Sequence, residues 1–276
     1  MIKIIYHNNC YDGFTAAWVA RRRFQWQQVE FIPASYGDPV PEFSKEDEVY
    51  IVDFSYPRDV LEKIHSTVAS LQVLDHHHTA QEALAGLNFC EFDMKRSGAK
   101  MAWDYFQVGN PLPTPPLVAY VEDRDLWNWK LPNSREINHY ISSFPMTFDY
   151  WDILNRDLNN DLLSCIDMGQ AIARYSDLKV EEAIKNGTQW RELGGYSIPC
   201  VNVPYHMGST VGHRLLDLHP EAPFSGYYLF TTNGDEQWGL RGRNSDDFDV
   251  STIAKQYGGG GHKKASGFLM NRSTRG

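Results

Sequence analysis

Short apolar runs alternate with segments of helical periodicity along the first half of the chain. The β-prone runs predict four strands, at residues 2–6, 29–34, 47–54 and 71–74. Helices are predicted over residues 14–23, after Pro57, which suits a first helical turn, and after Ser97, a favourable capping residue. Strands that alternate with helices in this way favour a largely parallel sheet covered by helices.

The second half of the chain begins with one more apolar run and then changes in pattern. Residues 117–122 are apolar and precede Asp123, and we interpret them as a further strand. Residues 161–186 have helical periodicity with charges throughout, which predicts an interdomain linker helix. Strand-like and helical segments follow, so a smaller C-terminal α/β domain is expected. The predicted division is 1–155, 156–187 and 188–276.

Composition narrows the class of protein. The 276 residues have 42% hydrophobic and 22% charged content, with no apolar run long enough for a transmembrane helix. The chain starts directly with an apolar strand rather than a signal-peptide pattern, and its four cysteines are scattered. We therefore expect a soluble cytoplasmic protein with no membrane partner. Its oligomeric state is left open, a homodimer included.

The charge distribution is uneven. A net charge of −9 argues against a protein that coats long nucleic acids by bulk electrostatics. From Trp238 onward, however, seven lysines and arginines face only three aspartates, among them Asp246. This basic C-terminal segment predicts a local anion-binding site, and a merely solvated terminus is the alternative.

Side chains of metal-ligand type follow the predicted strands. They are His7, Cys10 and Asp12; Asp53; Asp75, His76 and His77; and Asp123 and Asp125. The carboxyl ends of parallel strands meet at one sheet edge, where ligands bind in open α/β folds. So many carboxylates would repel one another without cations, and a mixture of carboxylate and imidazole suits Mn²⁺, Zn²⁺ or Fe²⁺. Two metal ions sharing a carboxylate would suit phosphoryl transfer.

A glycine run marks the C-terminal segment. Gly258–Gly261 precede His262-Lys263-Lys264 and the apolar run 265–270. Glycines let backbone N–H groups approach an anion closely, and the cations neutralise it. An anion-binding loop is therefore predicted, with a flexible linker as the alternative.

These residues together resemble the motifs of the DHH phosphoesterases. His7-Asn8-Asn9-Cys10-Tyr11-Asp12-Gly13, Val52-Asp53, Asp75-His76-His77 and Asp123-Arg124-Asp125 are similar to motifs I to IV, and the segment 258–267 resembles the glycine motif of the accompanying DHHA1 domain. The resemblance covers most of the chain in the right order. It implies a DHH catalytic domain, a linker helix and a DHHA1 substrate domain, as in RecJ-like exonucleases, nano-RNases and cyclic-dinucleotide phosphodiesterases.

The resemblance also implies roles for individual residues. Two divalent ions, Mn²⁺ above all, would be bridged by Asp53, with Asp12, His76 and Asp123 at one ion and His7 at the other; Asp125 is the alternative to Asp123. Asp75, His76 and His77 would form the catalytic motif, with His77 near the leaving group or behind the ligands. Arg241, Arg243, His262 and the backbone of Gly259, Gly260 and Gly261 would bind a substrate phosphate.

Two positions depart from the family pattern. Cys10 stands where many members have the first aspartate of motif I, and a thiolate there would favour Zn²⁺ or Fe²⁺. Ser266 replaces an alanine, which is a change between small residues.

Three functions are consistent with these observations. The first is a metal-dependent phosphodiesterase or exonuclease acting on short single-stranded nucleic acid or a nucleotide. The second is a phosphatase or pyrophosphatase acting on a small anion. The third, which the departure at Cys10 permits, is a nucleotide-binding protein without catalytic activity.

Overall fold

The computed structural model describes residues 1–107, 112–245 and 247–271, and the chain forms two compact units. The first unit is Met1–Ala173, and the second begins at Arg174. Asp246, Arg272 and Arg275, which belong to the predicted basic segment, lie outside the described residues. The three-part division of the chain stays a prediction.

A five-stranded parallel sheet forms the centre of the first unit, with the strand order β2-β1-β3-β4-β5. The strands are β1 (Ile2–His7), β2 (Val29–Ala34), β3 (Glu48–Val52), β4 (Ser70–Asp75) and β5 (Cys90–Phe92). Successive residues face opposite sides of the sheet, so Ile4 packs in one hydrophobic core and Ile5 in another. Burial on both faces explains the continuous apolar runs.

Seven helices lie wholly within the described part of this unit. They are α1 (Tyr11–Arg23), α2 (Arg58–Thr67), α3 (His78–Ala83), α4 (Gly98–Phe106), α5 (Pro116–Asp125), α6 (Ser134–Ser142) and α7 (Phe148–Asn160). The hydroxyl of Ser97 accepts a hydrogen bond from the Lys100 amide at 3.2 Å and caps α4 as predicted.

The predicted strand at residues 117–122 is wrong, because this segment belongs to α5. Pro116 lies in the first turn, where its fixed φ favours a helix and its missing N–H is not needed. Leu117, Val118 and Val121 are buried on one side of the helix. A short apolar run does not by itself distinguish a buried strand from a buried helix.

The second unit contains a mixed sheet with the order β10-β11-β9-β8-β7-β6. Its strands are β6 (Gln189–Leu193), β7 (Tyr196–Asn202), β8 (Phe224–Phe230), β9 (Glu236–Gly242), β10 (Gly260–His262) and β11 (Ala265–Met270). Strands β7 and β8 are parallel, and the other pairs are antiparallel.

Three further helices are described. The boundary between the units falls within the long helix α8 (Leu162–Gly187), and α9 (Tyr205–Leu218) and α10 (Val250–Gln256) belong to the second unit. Among the described residues, none of the helices combines the length and hydrophobicity needed to span a membrane. The cytoplasmic location stays a prediction.

Candidate metal centre

The register of the parallel sheet places three motif residues side by side. Tyr6 of β1 pairs with Val52 of β3, and Val52 pairs with Leu74 of β4. The residue after each of these positions is His7, Asp53 and Asp75 respectively. Three sequence-distant ligand-type side chains therefore meet at the carboxyl edge of the sheet, as the strand prediction required.

Asp53 is shared by two groups of ligand atoms. One group contains His7, Asp53 and His77, and the other contains Asp12, Asp53 and His76; within each group the ligand atoms lie within 4.8 Å of one another. Asp53 Oδ2 is 3.5 Å from His7 Nδ1, and Asp53 Oδ1 is 3.1 Å from His76 Nε2. We call these five residues, together with Asp125 (below), the metal centre.

The environment of Asp53 fits a cation. The residue is only 1% exposed, and neither carboxylate oxygen accepts a hydrogen bond of good geometry from the described residues. Burial disfavours the charge of Asp53, but the imidazoles of His7 and His76 offset this and hold its pKa well below its ordinary value. A buried carboxylate that is held ionised and accepts no hydrogen bond of good geometry is suited to bind a cation.

Asp53 has an unusual backbone conformation and is tightly packed against Gly98. Its φ of 55° is left-handed, which is uncommon for a residue with a side chain and occurs at functional sites. In addition, a Cβ added to Gly98 would lie 2.4 Å from the Cβ of Asp53, so only glycine fits at this position of α4. We did not predict a role for Gly98, although a glycine directly after the capping residue Ser97 could have indicated close packing at the start of the helix.

Asp12 is held by the first turn of α4. Asp12 Oδ2 accepts a hydrogen bond from the Gly98 amide at 2.6 Å, and Oδ1 accepts one from the Ala99 amide at 3.0 Å. Burial, with the charges of Asp125 and Asp53, raises the pKa of Asp12 well above its ordinary value. The carboxylates thus destabilise each other's charged forms, and a bound cation would relieve this repulsion.

The structure brings Asp125, the alternative to Asp123, close to His76, and which of the two carboxylates is a ligand stays a prediction. Asp125 Oδ2 lies 3.5 Å from His76 Nε2. Asp123 instead accepts hydrogen bonds from the Lys130 and Leu131 amides, at 3.0 and 3.1 Å. Residues i and i+2 share a face in a strand but point in widely different directions on a helix, so the helix α5 separates the two carboxylates.

Asp75 positions the neighbouring histidine rather than joining either ligand group. It accepts hydrogen bonds from Ser55 Oγ at 2.5 Å and from the His76 and His77 amides at 2.7 and 3.2 Å. His77 Nδ1 also lies 2.7 Å from Asp75 Oδ1. A carboxylate on one ring nitrogen fixes the orientation of an imidazole at metal sites. Ser55, which supports this arrangement, was not predicted.

Cys10 belongs to neither ligand group within the described part of the chain. It is the residue before α1, and its carbonyl accepts a hydrogen bond from the Phe14 amide at 2.9 Å. Burial and the nearby carboxylates Asp53, Asp125 and Asp12 raise the pKa of its thiol well above the ordinary value. The ligand role of Cys10 and a preference for Zn²⁺ or Fe²⁺ there stay predictions.

The predicted phosphate-binding arginines lie in the second unit and differ from each other. Arg241 Nη2 donates to Ser209 Oγ at 2.6 Å, and its guanidinium stacks over Tyr227 at 5.3 Å from the ring centroid. Arg243 donates to the carbonyls of Leu216 at 2.9 Å and His219 at 2.8 Å, and also to that of Ala222. Arg243 therefore stabilises the end of α9, a structural role that was not predicted.

The glycine run forms a turn and an edge strand instead of a flexible linker. Gly260 pairs with Gly267, and His262 pairs with Ala265. A Cβ at Gly259 would lie 2.1 Å from the carbonyl oxygen of Gly267, so close backbone contact requires glycine there. The proposed anion-binding role of Gly259, Gly260, Gly261 and His262 stays a prediction.

Two curated proteins are similar to this chain along most of its length, while no family model matches it. Uncharacterized protein R106 of Acanthamoeba polyphaga mimivirus is 29% identical over 287 residues, covering 97% of this chain and 67% of that protein. Oligoribonuclease NrnB of Bacillus subtilis is 25% identical over 291 residues, covering 95% and 71%.

Solved structures share the fold. RecJ from Thermus thermophilus in complex with Mn²⁺ has a TM-score of 0.54 at 15% identity, covering 99% of this chain and 50% of RecJ. The pGpG-specific phosphodiesterase PggH from Vibrio cholerae has a TM-score of 0.51 at 12% identity, covering 99% and 94%. The predicted α/β fold class is confirmed, since the chain shares the fold of these solved structures.

Proposed function

We propose that this chain, which has the RecJ-like fold and the motifs of a DHH/DHHA1 phosphoesterase, is a metal-dependent phosphodiesterase of short oligonucleotides. The observation that carries the proposal is the pair of ligand groups that share the buried Asp53. NrnB is an oligoribonuclease and PggH is a pGpG-specific phosphodiesterase, and both similarities support the same substrate class.

The donor atoms indicate which ions the centre would hold. His7, Asp53 and His77 would hold one divalent ion, and Asp12, Asp53 and His76 the other, with Asp125 beside His76. Mixed imidazole and carboxylate donors suit Mn²⁺, the ion found in the RecJ complex. When bound, two divalent ions supply a hydroxide-like water at neutral pH and neutralise charge on the phosphate oxygens.

The chain itself positions these ligands. The amides of Gly98 and Ala99 at the start of α4 fix both oxygens of Asp12, and Asp75 fixes the ring of His77. Because Ser55 and two backbone amides in turn hold Asp75, the imidazole loses little freedom when it binds a ligand.

Arg241 is the candidate contact for a substrate phosphate in the second unit. Its guanidinium is held on the ring of Tyr227 and on Ser209, and Gly212 leaves the room it needs: a Cβ there would lie 2.7 Å from Arg241 Cγ. A preorganised guanidinium binds phosphate well, because less side-chain freedom is lost on binding. We therefore keep Arg241, and not Arg243, as the phosphate-binding residue of the proposal.

A substrate panel tests the proposal. Hydrolysis is measured with Mn²⁺, Mg²⁺, Zn²⁺ or Fe²⁺ on linear dinucleotides, longer oligomers, cyclic dinucleotides, bis-phosphorylated nucleotides and inorganic pyrophosphate. The proposal expects the highest kcat/KM on linear di- and short oligonucleotides, with Mn²⁺ the best ion. Preference for pyrophosphate or bis-phosphorylated nucleotides would instead favour the alternative function, a phosphatase or pyrophosphatase that acts on small anions. Absence of metal-dependent hydrolysis on the whole panel would overturn it.

A further inference from the structure

An exposed tyrosine stands beside the metal centre on a rigid turn. The turn Ser35–Asp38 follows β2 directly, and β2 ends next to His7, whose partner in the sheet is Ala34. The Asp38 amide donates to the Ser35 carbonyl at 3.1 Å, and Asp38 Oδ2 accepts from the Ser35 amide at 2.8 Å. Gly37, the third residue of the turn, has a φ of 94°, a left-handed conformation that glycine adopts readily. The turn therefore holds the backbone of Tyr36 close to the end of β2.

The ring of Tyr36 packs against Phe54. Its centroid lies 5.0 Å from that of Phe54, a fully buried residue next to Asp53. The edges of two centre imidazoles are close as well, with centroids 6.0 Å away for His7 and 6.5 Å for His77. Even so, 60% of Tyr36 is exposed. A partly exposed aromatic ring thus lies at the rim of the metal centre.

From this placement we propose that Tyr36 binds a nucleobase of the substrate by stacking, and so makes the enzyme prefer substrates with a base next to the reacting phosphate. The inference rests on the proposed function and deepens it. A phosphate bound at His7 and His77 carries its nucleoside within reach of the adjoining ring. Every base has a π-face, so stacking on tyrosine does not require a particular sequence.

The test removes the base and the ring separately. We would measure kcat/KM with Mn²⁺ on a 5′-phosphorylated diadenosine dinucleotide and on two analogues, each abasic at one nucleoside. The proteins are the wild type, Tyr36→Ala and Tyr36→Phe. Trp26→Ala is the matched control, because Trp26 is 90% exposed and follows the opposite end of α1 from the centre.

If Tyr36 stacks on a base, each variant should show a specific pattern of kcat/KM on the three substrates. Tyr36→Ala should lose about 10- to 100-fold in kcat/KM on the intact dinucleotide, mainly through KM, because stacking is already present in the bound ground state. The wild type should have a low kcat/KM on one of the two abasic analogues, and Tyr36→Ala should lower that value little further. Tyr36→Phe and Trp26→Ala should behave like the wild type on all three substrates.

Three results would overturn the inference. Equal losses for Tyr36→Ala on intact and abasic substrates would mean that the ring only supports His7 and His77. A loss in Tyr36→Phe as large as that in Tyr36→Ala would assign the effect to the hydroxyl group. If the wild type cleaved both abasic analogues as well as the intact dinucleotide, no base would be bound there, whatever the variants did. Failure of the wild type to cleave any dinucleotide would instead remove the proposed function itself.

Discussion

The metal centre and the arginines of the second unit are both clusters of charge, but their hydrogen bonding differs. At the centre, the buried oxygens of Asp53 accept no hydrogen bond of good geometry from the described residues, and burial together with neighbouring carboxylates raises the pKa of Asp12. In the second unit, Arg243 donates to three carbonyls and Arg241 donates to Ser209. A buried carboxylate without hydrogen bonds of good geometry indicates a ligand site, whereas the three carbonyls to which Arg243 donates indicate a structural role.

The sharpest test of this contrast is Asp53→Asn. If Asp53 bridges two ions, the change should abolish hydrolysis and greatly lower bound Mn²⁺. The metal-free fold should be less stable than the wild type, since the imidazoles of His7 and His76 lose the buried carboxylate that faces them. Metal analysis, kcat and thermal unfolding with chelator would be measured, with exposed Asp59→Asn as the control. Near wild-type turnover would contradict the two-metal model.

Gly98→Ala tests whether the centre depends on close packing. Alanine normally stabilises a helix relative to glycine by about 1 kcal/mol. Here its Cβ would meet Asp53 at 2.4 Å, so we expect a loss of about 1–3 kcal/mol in stability and a marked loss of activity. Gly187→Ala, which meets a valine methyl at 3.2 Å, is the control. A stabilised, fully active Gly98→Ala protein would show that the backbone adjusts.

The two aspartates of α5 should separate activity from stability. Asp125→Asn should weaken Mn²⁺ binding or activity by about 10- to 100-fold with little change in unfolding. Asp123→Asn should instead cost about 1–3 kcal/mol in stability, since it weakens the bonds from the Lys130 and Leu131 amides. Unfolding curves and Mn²⁺ titrations of both variants show which aspartate serves metal binding and which serves stability. The reverse pattern would make Asp123 the ligand.

The arginines should divide in a similar manner. Arg241→Ala should raise KM for a 5′-phosphorylated dinucleotide by about 10- to 100-fold, since a charge-assisted hydrogen bond to phosphate is worth about 1.5–3 kcal/mol. A small chromogenic phosphodiester should be hardly affected. Arg243→Ala should chiefly lower the melting temperature, because the carbonyls at the end of α9 lose their donors. Equal losses of Arg241→Ala on both substrates would give Arg241 a structural role as well.

The sequence by itself determined the parallel sheet and the residues at its edge. Ile2–His7, Glu48–Val52 and Ser70–Asp75 are apolar enough to be buried strands, and parallel register then places His7, Asp53 and Asp75 together. This works because alternating strands and helices leave few topologies, and the strand ends share one edge.

Only the tertiary structure decided which neighbours complete the centre. The segment 117–122 has an apolar pattern compatible with strand or helix, and the helix brought Asp125, not Asp123, to His76. Gly98 and Ser55 matter because the chain folds them against Asp53 and Asp75, and no local pattern encodes such contacts. Local propensity and periodicity are properties of a segment, whereas packing and hydrogen-bond partners depend on segments distant in sequence, which only the folded chain brings together.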